Sequence, residues 1–238
     1  MLTLSRGSTT IGQFTLAGSY QASDFHLTVP STTIANPLVI TTTSTANAIT
    51  PFAVQDVTTG AVASSPGQQY TGPVNYLQSQ YLWSSADKVN VTTGMPDVYL
   101  VGGAGDDALA AGAGSNVLDG GLGSNFLSGA AGKDGGQDTF FLDGSKGVTW
   151  DTLVNFHPGD SVTLWGFVPG TSGYSWTASD GAAGYQGATI HAAFAGAGTP
   201  VNGSVTFTGI SQATQQADFT VSSGNTGGRD YLNIHYNR

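Results

Sequence analysis

The sequence predicts an all-β protein, in which a parallel β-roll solenoid is flanked by an amino-terminal β-rich region and a carboxy-terminal antiparallel, sandwich-like cap. Three observations favour this fold. The 238 residues include 35 glycines, and only 9% are charged, against about 25% in an ordinary globular chain. Large apolar residues recur at every ninth position through the middle of the chain. Segments rich in β-branched and aromatic residues, punctuated by Gly, Pro, Ser and Asn, fill both flanks.

The composition also excludes several classes of protein. All 15 acidic residues are Asp, and without Glu and with few Lys or Arg the chain lacks good helix formers. A helical bundle is therefore excluded. The net charge of −9 disfavours binding to nucleic acid or to an anionic membrane. The absence of Cys excludes disulfides, Cys-based zinc sites and a thiol nucleophile.

The amino-terminal region, residues 1–79, is predicted to contain short strands and turns. Segments such as FTLAGSY (14–20), FHLTVPS (25–31) and PLVITTTST (37–45) have the residue types of strands. The segment 73–83 is compatible with either a short helix or a strand, and the sequence leaves this open.

The middle region, residues 80–143, is predicted to form the roll. At strict nine-residue intervals lie Leu82, Val91, Leu100, Leu109, Leu118 and Leu127. A period of nine fits neither a helix nor a hairpin meander. It suits a solenoid in which six residues turn, three form a strand, and one large apolar side chain per repeat points inward. A single repeat cannot bury that side chain, so neighbouring repeats must stack.

The carboxy-terminal region, residues 144–238, is predicted to cap the solenoid, because an open stack exposes apolar side chains and unpaired backbone groups. Its predicted strands are YSWTAS (174–179), ATIHAAF (188–194), SVTFTGI (204–210), ADFTVSS (217–223) and YLNIHYN (231–237).

Four glycine-rich blocks carry the motif of the middle region. They are GGAGDDALA (102–110), AGAGSNVLD (111–119), GGLGSNFLS (120–128) and GAAGKDGGQ (129–137). The first block matches the nonapeptide G-G-x-G-x-D-x-U-x with Asp107 at the sixth position. The sequence resembles here, over roughly residues 91–143, the RTX family: hemolysin-type calcium-binding proteins with nonapeptide β-rolls, exported from bacteria by type I secretion.

The resemblance implies calcium ions bound between a turn and the turn after next. By position, one ion would be shared by Gly102, Ala104, Asp107, Gly120, Leu122 and Asn125. A second would be shared by Ala111, Ala113, Asn116, Gly129, Ala131 and Asp134. Backbone carbonyls together with a carboxylate suit calcium, a hard cation that takes about 6–8 oxygen ligands.

Two features depart from the family pattern. Asn116 and Asn125 stand where the family has a carboxylate, which weakens calcium affinity. A metal-free roll, in which these Asn side chains bond their own turns, is the alternative. The fourth block also seems to need an insertion of about four residues before Phe140 by the motif count, so Asp138 is an alternative to Asp134 as the motif aspartate.

Other candidate sites are weaker. The four His residues have no zinc-like spacing, and His191 and His235 are predicted to be ordinary strand residues. There is no G-x-S-x-G elbow and no obvious carboxylate pair. Trp165, Tyr174 and Trp176 are candidates for ligand binding, since flat aromatic faces bind sugars, and the competing interpretation places them in the core.

The resemblance implies a secreted, extracellular protein that folds on calcium. The amino terminus has no secretory h-region and the sequence has no membrane span. We therefore expect export by a route that needs no such signal; a cytosolic protein or a fragment are the alternatives. The expected function is non-enzymatic: a structural, adhesive or polysaccharide-binding module. The alternative is the tail or a compact form of a secreted polysaccharide-acting enzyme, protease or lipase.

Overall fold

The computed structural model describes residues 2–6, 9–14, 25–28, 39–42, 52–56, 62–65, 80–83, 88–131, 136–144, 147–195 and 201–237. The chain divides into two compact units, Met1–Ala48 and Ile49–Arg238. The sequence-predicted boundaries after residues 79 and 143 stay predictions. Of the segments predicted to be strands, residues 15–20, 29–31, 37–38 and 43–45 lie outside the described residues, as do residues 73–79 of the ambiguous segment.

The first unit contains two pairs of antiparallel strands. β1 (Leu2–Arg6) pairs with β2 (Thr9–Phe14), and β3 (Phe25–Thr28) pairs with β4 (Val39–Thr42). β-branched and aromatic residues in these strands agree with the sequence prediction.

The second unit contains sixteen described strands and one described helix. The strands are β5 (Phe52–Asp56), β6 (Val62–Ser65), β7 (Gln80–Trp83), β8 (Val89–Thr93), β9 (Val98–Val101), β10 (Ala108–Ala111), β11 (Val117–Asp119), β12 (Gly123–Ser128), β13 (Thr139–Asp143), β14 (Thr149–Val154), β15 (Ser161–Trp165), β16 (Gly173–Asp180), β17 (Gly187–Phe194), β18 (Val201–Thr208), β19 (Phe219–Thr226) and β20 (Arg229–Tyr236).

Two parallel ladders form the roll, as predicted. Strands β7, β9, β11, β13 and β15 pair in parallel in one sheet. Strands β8, β10, β12, β14 and β18 pair in parallel in the other. Successive strands of the repeat therefore alternate between two sheets, and residues 18 positions apart are neighbours within one sheet.

The nine-residue series of apolar residues lies on the facing sides of these two sheets. Leu82, Leu100 and Leu118 are in register in one sheet, and Val91, Leu109 and Leu127 are in register in the other. Leu100, Leu109, Leu118 and Leu127 are at most 2% exposed. Full burial of each such side chain stabilises the fold by about 1.5–3 kcal/mol, so this stack is the core of the roll.

Beyond Ser128 the turns lengthen but the stack continues. Phe140 lies in register with Leu118 although 22 rather than 18 residues separate them, as the predicted four-residue insertion requires. Leu153 lies in register with Leu127 across 26 residues. The core therefore passes without a break from the repeats into β13, β14 and β15.

Antiparallel strands close both sheets. In the first sheet the order of the described strands is β16-β17-β18-β14-β12-β10-β8-β5-β6, and in the second it is β19-β20-β15-β13-β11-β9-β7. We call them the nine-stranded and the seven-stranded sheet. At the carboxy-terminal end β17, β16, β20 and β19 run antiparallel to their neighbours, which gives the predicted sandwich-like cap. An aromatic cluster of Phe156, Phe207, Phe219 and Tyr236 packs within it.

One element differs from the sequence prediction. Residues Gln212–Asp218 form a short helix, α1, whose N-cap Ser211 accepts a hydrogen bond from the backbone N–H of Thr214. The predicted strand at 217–223 therefore begins only at Phe219. In the described part of the chain, no helix has the length and apolar content that crossing a bilayer requires.

Candidate metal centre

The glycine-rich turns lie at the two edges of the roll. We call the turns that lead into the nine-stranded sheet the first turn stack, residues 102–107, 120–125 and 147–151. We call the turns that lead into the seven-stranded sheet the second turn stack, residues 94–98, 112–116, 129–131 with 136–138, and 155–160. Each stack brings together turns that are two repeats apart, which is the spacing that the RTX resemblance implies.

Close backbone approach explains the glycines of the first turn stack. Gly121 and Gly123 have φ values of +79° and +100°, which L side chains rarely adopt. A Cβ atom on either would overlap the carbonyl oxygen of Gly103 or Gly105, respectively, in the turn below. The backbone N–H of Leu122 donates to the Gly103 carbonyl at 2.9 Å. The turns thus direct carbonyl oxygens into the gap between repeats.

A buried polar ladder runs through the sixth motif position of the first turn stack. Asp107 Oδ1 accepts from the Val89 N–H at 2.7 Å, and Asn125 Oδ1 accepts from the Asp107 N–H at 3.0 Å. Asn125 Nδ2 donates to Asp151 Oδ1 at 2.9 Å. Asp107, Asn125 and Asp151 are each at most 2% exposed. Each side chain therefore ties its own turn to a neighbouring one.

A second ladder runs through the second turn stack. Asn116 Oδ1 accepts from the Val98 N–H at 3.2 Å, Asp138 Oδ1 from the Asn116 N–H at 2.8 Å, and Asp160 Oδ1 from the Asp138 N–H at 2.8 Å. Asn116 Nδ2 also donates to Asp138 Oδ1 at 2.9 Å, and to the carbonyls of its own turn, Ala113 and Gly114. These bonds to its own turn are the ones that the metal-free alternative predicts for Asn116.

The first turn stack contains a position that fits a cation. A Cβ atom built on Gly102 would overlap Asp107 Oδ2 and lie 2.7 Å from the Gly120 carbonyl oxygen. A carboxylate and a carbonyl from turns 18 residues apart therefore converge beside the bare Cα of Gly102. Hard cations such as calcium bind oxygens of these two kinds. Gly102, Asp107 and Gly120 belong to one predicted ligand set, whose remaining members, Ala104, Leu122 and Asn125, lie in the same turn stack.

The second predicted set is brought together less completely. Ala111 ends β10, and Ala113, Asn116, Gly129 and Ala131 lie in the second turn stack, whereas Asp134 lies outside the described residues. Asp138 is the residue that follows Asn116 in this ladder. A Cβ on Gly129 would overlap Asp138 Oδ2, which accepts from the Ala130 N–H at 2.8 Å. Asp138 therefore holds the position that the sequence leaves open between the two aspartates.

Backbone carbonyls have to supply part of any metal site here. In the described ranges, no group of three or more His, Asp or Glu side chains is placed to hold a metal ion. This agrees with the predicted sets, which combine one or two side chains with several main-chain oxygens. A hard, oxygen-seeking cation is thus favoured over a transition metal that requires His or Cys.

Burial changes the protonation of the ladder aspartates. Desolvation raises the pKa of Asp151 to about 8, and the nearby charge of Asp119 adds to the rise. Burial also raises the pKa of Asp160 to about 6, and that of Asp138 above its usual range. At neutral pH Asp151 is therefore mostly a neutral acid, so the metal-free ladder carries less negative charge than its sequence indicates.

Sequence reasoning did not identify Asp151 and Asp160 as members of the ladders. Their spacings from Asn125 and Asp138 are 26 and 22 residues, which breaks the nine-residue count. One signal was present for Asp160: like Asp107 and Asp138, it directly precedes a strand of the roll.

The three aromatic candidates have different surroundings. Trp165 is buried, stacks on Tyr231 at 5.9 Å and lies under the Arg229 guanidinium at 5.2 Å. Trp176 is partly buried and stacks on Phe207 at 5.6 Å. Tyr174 is 44% exposed. The surroundings of Trp165 and Trp176 support the core interpretation, and Tyr174 alone has a large exposed surface. His191 and His235 lie in β17 and β20, as predicted.

Comparison with known proteins agrees with the repeat geometry. Residues 101–135 match the RTX calcium-binding nonapeptide repeat, in four copies. Neither the curated proteins nor the solved structures contain a match to this chain. The resemblance inferred from Gly102 to Asp107 and from the period of nine is thereby confirmed. Residues 101–135 are RTX calcium-binding nonapeptide repeats, folded as the stacked turns of a parallel β-roll.

Proposed function

We propose that this chain is an extracellular, secreted calcium-binding module whose roll is stabilised by calcium held between its stacked turns. The observation that carries the proposal is the convergence of the Asp107 carboxylate and the Gly120 carbonyl oxygen beside Gly102. The RTX repeats at residues 101–135 support it, since proteins with such repeats are typically secreted and bind calcium.

Calcium would act on folding through its charge. The chain has a net charge of −9, and like charges repel one another in the compact state. A bound Ca²⁺ supplies positive charge between turns that belong to different repeats, and its binding free energy adds to the stability of the folded state. Because Asn replaces Asp at two sixth positions, we propose weak sites, of the ~10⁻⁴–10⁻³ M class found in extracellular modules. Such sites fill outside the cell and remain empty in the cytosol.

In that setting we propose a non-enzymatic role: a structural or adhesive module that binds polysaccharide. The type I secretion machinery is the export partner that RTX repeats suggest. The exposed Tyr174 and Tyr185, at 44% and 43% exposure, support a binding role over a purely internal one.

A second candidate, a secreted hydrolase, is favoured by one observation. Ser204 Oγ lies 2.9 Å from His191 Nδ1, and His191 Nε2 lies 3.3 Å from Asp180 Oδ2. Nucleophile, base and acid in sequence are the logic of a catalytic triad. Against it, Ser161 Oγ and His235 Nδ1 make the same 2.9 Å contact on the other sheet. A Ser–His cross-strand pair is thus a recurrent surface pairing of this fold.

Calcium titration tests the first candidate. We expect the β signal in circular dichroism and the melting temperature to rise with calcium and to fall again on adding EGTA, with magnesium much less effective. Asp107→Ala is expected to weaken the response. A melting temperature that is the same in calcium and in EGTA would contradict the proposal.

Fluorophosphonate labelling tests the second candidate. Under the non-enzymatic proposal, neither Ser204 nor Ser161 reacts with the probe. Labelling that Ser204→Ala abolishes and Ser161→Ala retains would favour the hydrolase.

A further inference from the structure

We propose that the outer face of the nine-stranded sheet binds a neutral oligosaccharide in two adjoining hollows that share the side of Trp150. This inference deepens the polysaccharide-binding part of the proposed function and rests on that part alone. None of the residues that carry it belongs to the calcium ladders or to the RTX motif positions.

One row of side chains crosses this face. Strand pairing places in a single cross-strand line Ser124, Trp150, Ser204, His191 and Ser175. Neighbouring strands lie about 4.8 Å apart, so the five-strand row spans about 19 Å. The flanking residues of the three central strands, such as Asp151, Val205 and Ile190, are at most 2% exposed. Because side chains alternate between the faces of a strand, the row points away from the core.

Hydrogen bonds hold the central aromatic and polar groups in fixed positions. Trp150 Nε1 donates to Thr206 Oγ1 at 3.0 Å, and the indole meets the His191 ring edge-on with centroids 5.6 Å apart. His191 is held at both nitrogens, by Ser204 Oγ at 2.9 Å and by Thr177 Oγ1 at 3.3 Å. A preorganised site of this kind loses little entropy when a ligand binds.

Two hollows adjoin Trp150. The larger, of about 750 Å³, is lined by the whole row together with Val148, Tyr174 and Asn202. The smaller, of about 260 Å³, is lined by Ser124 and Trp150 and by Phe126, Thr152 and Asp180. The larger volume is within the ~300–1,000 Å³ of ligand sites. Two hollows that share Trp150 suit an extended chain better than one compact molecule.

The lining chemistry selects the class of ligand. Indole, phenol and aliphatic surface is combined with hydroxyl, amide and imidazole groups, which match the apolar faces and the hydroxyls of pyranose rings. None of the described residues that line the two hollows is Lys or Arg. The Asp180 carboxylate lies against His191, and the whole chain is negatively charged. Polyanionic glycans are therefore disfavoured, and neutral oligosaccharides are favoured.

Calorimetric titration of the calcium-loaded full chain tests the site, with cellohexaose and mannohexaose as neutral probes and hexagalacturonate as the anionic probe. We expect at least one neutral hexasaccharide to bind and to change tryptophan fluorescence, and hexagalacturonate to bind at least tenfold more weakly. Absence of binding by both neutral probes, or tighter binding of the uronate, would overturn the inference.

Matched variants place the binding on this face. Ser204→Ala and Tyr174→Ala are expected to weaken binding by about threefold to tenfold each, the range that loss of one hydrogen bond or contact gives. Ser161→Ala, which breaks the equivalent Ser–His pair on the seven-stranded sheet, is expected to leave affinity unchanged. Equal effects of Ser204→Ala and Ser161→Ala, or no effect of Ser204→Ala and Tyr174→Ala, would overturn the placement.

A calcium readout on the same samples separates the two claims. The calcium-dependent rise in melting temperature is expected to be retained in Ser204→Ala and Tyr174→Ala. Oligosaccharide binding without a calcium response would contradict the calcium proposal and leave this inference standing, whereas a calcium response without oligosaccharide binding would overturn this inference alone.

Discussion

The backbone N–H of Asp107 donates a 3.0 Å hydrogen bond to Asn125 Oδ1, 18 residues further along the chain and one full turn of the roll away. The amide of Asn125 then donates to Asp151 Oδ1 at 2.9 Å. A neutral side chain thus separates two aspartates inside the protein. An Asn at this position stabilises the calcium-free roll, and it also removes one charge that would attract calcium.

Replacing this amide by a carboxylate is expected to strengthen calcium dependence. In Asn125→Asp the donor to Asp151 is lost and two buried acids become neighbours, so the melting temperature in EGTA falls, by about 1–3 kcal/mol in unfolding free energy. With calcium, the added charge raises affinity and the melting temperature recovers. Melting curves in EGTA and in calcium measure both effects. Asn90→Asp on the exposed side of β8 is the control, and an equal calcium response in both variants would argue against this role of Asn125.

Two substitutions of Asp107 separate its hydrogen bond from its charge. Asp107→Asn keeps an oxygen that accepts from the Val89 N–H, now at 2.7 Å, so we expect an almost unchanged melting temperature in EGTA and a loss of most of the calcium response. Asp107→Ala leaves that buried N–H without its acceptor and is expected to lower stability by about 1–3 kcal/mol even in EGTA. Thermal unfolding measures both, and a full calcium response in Asp107→Asn would count against Asp107 as a ligand.

The pKa of Asp151 predicts the pH dependence of the calcium-free protein. In the folded chain its pKa is raised to about 8 from a usual value of 3.8, so the folded state holds one more proton than the unfolded state between these values. Stability is therefore greatest at low pH, falls as the pH rises from about 4 to about 8, and levels off above that.

Asp151→Asn removes this titration and keeps an oxygen acceptor for Asn125. We expect the variant to be more stable than the wild type at pH 8 in EGTA, with a flatter profile between pH 5 and pH 8. Urea unfolding at several pH values measures this, and the exposed Asp106→Asn serves as the control. Parallel profiles for wild type and Asp151→Asn would contradict the burial of a protonated acid here.

The stacked core makes a separate prediction. Leu118 lies between Leu100 and Phe140 and is fully buried, so Leu118→Ala is expected to lower the unfolding free energy by about 2–5 kcal/mol. Val148 is 70% exposed, and Val148→Ala is expected to change it by less than about 0.5 kcal/mol. Denaturant unfolding compares them, and similar losses in both variants would contradict the inward stack.

The roll could be predicted from the sequence because its register is written in the chain as a fixed period. Leu100, Leu109 and Leu118 recur every nine residues, and a parallel solenoid is the fold that brings such positions into two facing stacks. The period ends at Ser128, where turns of other lengths begin. The continuation through Phe140 and Leu153, and the ladder positions of Asp151 and Asp160, therefore could not be obtained by counting.

The outer face of the nine-stranded sheet was beyond sequence reasoning for a different reason. Trp150, His191 and Ser204 come from β14, β17 and β18, which become neighbours only through tertiary pairing across more than 35 residues. The helix α1 was missed because seven residues are too short to show a helical period; its Ser211 N-cap was the available signal.

Calcium binding by Gly102→Ala tests the central claim most directly. The added Cβ would occupy the position between Asp107 and Gly120, whereas Gly94→Ala places a methyl group where no atom lies within 4 Å. Native mass spectrometry and calorimetry in calcium are expected to show that Gly102→Ala binds at least one ion fewer than the wild type, while Gly94→Ala binds the same number. A wild-type chain that binds no calcium at about 10 mM, well above the weak extracellular range, or a Gly102→Ala variant that binds as many ions as the wild type, would contradict it.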